Sequence, residues 1–61
     1  MKDLREKLEK LRADAEDCTL ISRLATDKAK RDLFAGMAAQ IRQMIAELEA
    51  AIEARVAGGK T

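Results

Sequence analysis

Three groups of residues in this chain are of types that chemistry uses. The first is Cys18, the sole thiol among 61 residues. A thiolate becomes a nucleophile or metal ligand where a cation or a helix start lowers its pKa, and the neighbours Glu16 and Asp17 act the other way. Cys18 also continues the apolar series Leu4, Leu8, Leu11, Ala15. It therefore reads as a buried structural thiol that behaves as a small apolar side chain, the remaining reading being a disulfide to another chain.

The second group is the carboxylate run Asp14, Glu16, Asp17. Acid–base catalysis needs such groups in a concave site, and a hard cation needs a loop presenting alternate oxygen ligands. On the surface of a helix neither condition is met, and the run reads as a solvated face. The third group is basic: Arg23, Lys28, Lys30 and Arg31 flank a predicted helix start at Thr26 or Asp27. Free amides at a helix start attract anions, so this end is a candidate site for a phosphate or an acidic segment, diluted by Asp27 and Asp32. The competing reading is a solvated tip.

The elements that position these groups follow from apolar spacing. From Lys2 to Leu24 the series Leu4, Leu8, Leu11, Ala15, Cys18 and, more loosely, Ile21 and Leu24 marks one face of a helix. From Thr26 to Val56 the stripe reads Phe34, Met37, Ile41, Met44, Leu48 and Ile52, uninterrupted by proline. The expected fold class is all-α. A two-helix antiparallel hairpin is predicted over 1–57, with helix 1 about 2–24, a turn about 25–27, helix 2 about 28–57, and a frayed tail at 58–61. A single continuous helix in a long coiled coil is the other solution of the same pattern, because no glycine or proline enforces the turn.

Folding the chain about Thr26 sets Cys18 against Phe34, Ala15 against Met37, Leu11 against Ile41, Leu8 against Met44 and Leu4 against Leu48. Those ten residues form the predicted intrachain seam. The same register places Ile21 beside Leu33 and Lys7 beside Glu47. Ala38, Ile45, Ile52 and Val56, with Leu20 and Leu24, fall off that seam and are expected to meet a second chain or a partner helix. An alanine stripe at Ala35, Ala39, Ala46, Ala50, Ala54 and Ala57 reads as helix propensity on an exposed face. Gly36 beside it suggests local crowding, and Gly58 suits a left-handed helix cap.

Composition bounds the function. One small domain with a single cysteine and no histidine has neither an internal disulfide nor a zinc site to stabilise it, which leaves association. Twelve basic residues against 11 acidic ones give no field that recommends nucleic acid or anionic lipid. Phe34 is the only aromatic, so base-stacking platforms are absent. No apolar run reaches the roughly 20 residues of a membrane span, and the charged start does not resemble a secretory signal. No cofactor is expected, and a cytoplasmic location is.

The run Ala15-Glu16-Asp17-Cys18, Ile21, Leu24-Ala25-Thr26-Asp27-Lys28-Ala29-Lys30-Arg31 and Leu33-Phe34 resembles a group of short bacterial proteins without an assigned activity. The likeness covers nearly the whole chain. It implies a compact bacterial helical protein and transfers no functional residue. The Ala-Thr-Asp element is also similar to hairpin turns in which proline follows the aspartate, where this chain has Lys28.

The expected function is a non-enzymatic hairpin that self-associates, as a dimer or higher oligomer forming a four-helix bundle, and acts as a structural or protein-interaction module. The alternative is a small regulatory partner or co-chaperone whose free helix 2 seam receives a helical segment of a larger protein. A nucleic-acid-binding regulator ranks below both, because the basic patch is small and no recognition helix stands apart.

Overall fold

The computed structural model describes residues 2–58 and consists of two helices, α1 (Lys2–Leu24) and α2 (Lys28–Gly58). No strand occurs among the described residues. The molecule measures 52 × 15 × 11 Å. Its length is set by α2, since about 31 residues at about 1.5 Å each span most of it.

Asp27 starts α2. Its carboxylate accepts from the amides of Ala29 (3.4 Å) and Lys30 (3.3 Å), and its carbonyl accepts from Arg31 (2.9 Å). Those are the orphan donors of a first helical turn, satisfied by the side chain that precedes them. At the other side of the connection the Ala25 amide is shared between the carbonyls of Ile21 (3.0 Å) and Ser22 (3.4 Å), which ends α1.

Cross-helix hydrogen bonds fix how the helices lie. Ser22 Oγ donates to the Arg31 carbonyl (2.8 Å), Arg42 donates to Thr19 Oγ1 (2.6 Å), and Arg12 donates to Glu49 (2.7 Å). As the α1 partner moves from 22 to 19 to 12, the α2 partner moves from 31 to 42 to 49.

The seam between the helices keeps a seven-residue repeat, written here as positions a to g. On α1, Leu8, Ala15 and Ser22 occupy a, and Leu4, Leu11 and Cys18 occupy d, with Ala25 continuing d just past the helix end. On α2, Ala38, Ile45 and Ile52 occupy a, and Phe34, Ile41 and Leu48 occupy d. Every one of these residues is buried or half-buried. The other half-buried residues, Asp14, Thr19 and Glu49, flank the seam.

This corrects the sequence reading of α2. Met37 and Met44, expected in the intrachain seam, are exposed (39% and 45%). Ala38 and Ile52, expected to meet another chain, are buried within this one (2% and 9%), and Ile45 is half-buried beside them. The physical reason lies in what each rotation of α2 would place next to α1. Both rotations bury Phe34, Ile41 and Leu48. The rotation with Met37 and Met44 inside would lay Ile45 and Ile52 along Arg5 and Arg12, whose charges must stay hydrated. The observed rotation buries two branched aliphatics, which lose less rotamer freedom than methionine, and sets Glu49 and Arg42 against Arg12 and Thr19.

Two glycines also differ from expectation. A Cβ added at Gly36 would meet nothing within 4 Å, so crowding does not explain that residue. The expected cap residue Gly58 is the last residue of α2. The remaining tail residues assigned to fraying lie outside the described residues.

Candidate interaction surface

The seam has two edges of opposite character, and the repeat identifies them. Arg12 and Thr19 on α1 and Arg42 and Glu49 on α2 all occupy e. Since these e positions touch one another, the g positions of both helices are left along the other edge.

The e edge is polar and closed. Arg12 donates to Glu49 at 2.7 Å and to Glu9 at 2.9 Å, bridging the helices and bracing itself on its own helix. The guanidinium is held above its ordinary pKa, chiefly by its hydrogen bond with Glu49, and stays protonated throughout the physiological range. Thr19 relays the second contact: its hydroxyl donates to the Ala15 carbonyl (2.9 Å) while accepting from Arg42. An open depression of ≈ 430 Å³ lies beside this contact, lined by Glu16, Asp17, Thr19, Leu20, Arg23 and Arg42. Its charged groups face solvent, which suits neither a strongly shifted acid nor an excluded-water site.

The g edge is apolar and uncovered. Ile21, Met37 and Met44 occupy g, and Leu24 and Leu33 occupy the adjoining c positions. They are exposed by 38, 39, 45, 72 and 60%. Exposed aliphatic residues are ordinary one at a time; five on one edge of a chain this small form a patch of the kind that marks an interface.

Of the residues assigned from sequence to a second seam, Leu20 (54%), Leu24 and Val56 (43%) are exposed, whereas Ala38, Ile45 and Ile52 have turned inward. Leu20 and Val56 do not lie on the g edge: Leu20 is at f, on the far side of α1, and Val56 is at e near the end of α2.

The basic group at the connection does not form an open anion site. The Ala29 and Lys30 amides are taken by the Asp27 carboxylate, and Lys28 pairs with Asp32 at 2.7 Å. An arriving anion would have to displace one carboxylate and face another. Arg23 lies instead at the depression, beside Glu16 and Asp17. The expected Lys7–Glu47 pair is not among the ion pairs within 4 Å of the described residues. Cys18 is a buried free cysteine (8%). No group of three or more metal-ligating side chains is found among the described residues, so Asp14, Glu16 and Asp17 do not converge on a common point. Among the described residues, no helix is long and apolar enough to cross a membrane.

Sequence reasoning missed Ser22, which is 8% exposed and ties the last turn of α1 to the first turn of α2. The signal was present. The steps of Leu8, Leu11, Ala15 and Cys18 continue to Ser22 and Ala25, but a search for apolar residues alone moves aside to Ile21 and Leu24. Compared with known proteins, the chain matches no protein-family model, no curated protein and no solved structure.

Proposed function

We propose that the chain is a non-enzymatic antiparallel helical hairpin that self-associates through its g edge into a four-helix bundle and serves as a structural or protein-interaction module. The opposite numbering of the cross-helix partners supports the antiparallel arrangement, as does the contact of e with e, since parallel pairs bring e against g. The observation that carries the association is the exposure of Leu24, Leu33, Met37 and Met44 on one edge. Covering such an edge removes apolar surface from water at about 25 cal/mol per Å², a driving force that a lone two-helix chain leaves unused.

Replacing Met37 and Met44 together with glutamate tests this. Sedimentation equilibrium at micromolar concentration is expected to give the mass of two or more chains for the native protein and of one chain for the variant. A native protein with the mass of one chain, or a variant with unchanged mass, defeats the reading.

A second reading is a regulatory partner or co-chaperone that receives a helix of a larger protein on the same edge. The two exposed methionines favour it, because flexible thioether side chains adapt to varied apolar partners. It predicts one chain in the same measurement on the native protein.

A further inference from the structure

We infer that a two-residue slip in the seam repeat, set at the connection, holds the chain as a closed hairpin and bars it from opening into one straight helix that exchanges halves with a second copy. This rests on the antiparallel hairpin proposed above and concerns what selects it, independently of what covers the g edge. On α1 the inward residues Leu8, Ala15 and Ser22 recur every seven residues, with Leu11, Cys18 and Ala25 alongside, all buried or half-buried. Carried on without interruption, the same count lands on Ala29, Asp32, Gly36, Ala39, Gln43 and Ala46. Every one of those is exposed. The inward residues of α2 come two places later, at Phe34, Ala38, Ile41 and Ile45.

Nothing local forbids the straight form. The connection Ala25-Thr26-Asp27 holds neither glycine nor proline, and Lys28, Ala29 and Lys30 after it are good helix formers. The Asp27 carboxylate closes only the first turn of α2. Phase supplies the barrier that the local sequence lacks. Successive residues of a helix turn by about 100°, so a slip of two residues rotates the inward face by roughly 200°, close to half a turn. In a straight chain the inward faces of α1 and α2 therefore point to opposite sides. Two straight chains exchange halves along a common seam only if both halves of each face the other chain. Here one half would turn Phe34, Ile41 and Ile45 to solvent and offer Gly36, Ala39 and Gln43 in their place, leaving most of the seam's apolar surface in water. In the hairpin the connection reverses the chain, and each helix takes the rotation that its own stripe needs.

Spin labels on Ala13→Cys and Ala50→Cys, in a Cys18→Ala background, test this. Both sites are exposed, at f, away from the seam and its edges. Labelled chain is unfolded and refolded with an excess of unlabelled chain, so that only distances within one chain are read. With the native connection the labels are expected about 20–35 Å apart, from helices about 8–10 Å apart plus label linkers. Five alanines inserted between Ala25 and Thr26 bring the two stripes into phase, and that variant is expected to open at high protein concentration to roughly 60 Å, the length of the intervening helix at about 1.5 Å per residue. Seven alanines in the same place lengthen the connection further but keep the slip, and that variant is expected to hold the native distance. Removal of Thr26 and Asp27 restores phase from the other direction and is expected to open as well. A short distance in either variant with phase restored, or a long one with seven alanines, overturns the inference while the short native distance leaves the hairpin standing. A long distance with the native connection overturns the hairpin itself.

Discussion

The two edges of the seam are built from the same two helices, yet one is finished and the other is not. Along the e edge Arg12, Glu49, Arg42 and Thr19 satisfy one another across the helices and keep their charges wet. Along the g edge Ile21, Met37 and Met44, with Leu24 and Leu33 beside them, have no counterpart in the chain. The difference teaches that a helix pair chooses its rotation by what must stay hydrated as much as by what can be buried. Turning α2 to give Arg12 an acidic partner brings Ile45 and Ile52 inside and puts both methionines outside.

The contrast can be broken most severely at the seam itself. Leu8→Ala truncates a buried a-position side chain (8% exposed) and is expected to cost about 2–4 kcal/mol, measured by thermal melting followed by circular dichroism. Met44→Ala on the g edge should move the melt far less at concentrations where the chains are dissociated. Equal losses at the two positions would mean that the rotation of α2 is wrong.

A smaller effect is expected at the connection. Ser22→Ala removes the hydrogen bond to the Arg31 carbonyl and should destabilise the fold by about 1 kcal/mol. Cys18, one turn earlier on the same seam, should react with a thiol reagent far more slowly in the native protein than in denaturant. Comparable labelling rates would place the seam face of α1 in solvent.

Gly36 sharpens the comparison from the other side. It lies at f, away from both edges, with open space around it, so Gly36→Ala should raise stability by about 0.5–1 kcal/mol through helix propensity, with no change in association. A loss of stability would reveal a close approach at that face. The smallest effect belongs to the e edge. A double-mutant cycle on Arg12 and Glu49 is expected to show a weak favourable coupling that fades as salt is raised, because both side chains remain about half exposed. Coupling insensitive to salt would imply a desolvated pair.

How much of this was legible before folding differs between the helices. On α1 the series Leu4, Leu8, Leu11, Ala15, Cys18 permits a single inward face, and the same five residues are buried or half-buried. The connection was legible too, because Thr26 and Asp27 are the residues that satisfy the free amides of a helix start, and Asp27 does so here. On α2 the sequence holds two overlapping stripes that share Phe34, Ile41 and Leu48. One adds Met37 and Met44, the other Ala38, Ile45 and Ile52, and both keep the spacing of a helix face.

What the sequence by itself determined is therefore the all-α character, the position of the connection and the inward face of α1. All three depend on neighbours within a turn or two. The rotation of α2 was decided only in the tertiary structure, because it depends on which residues of α1 lie opposite. Arg12 finds Glu49 across 37 residues of chain, and Ser22 finds the Arg31 carbonyl across the connection. Periodicity within one helix reports how apolar residues are spaced, and it carries no information about the charges that the other helix brings beside them.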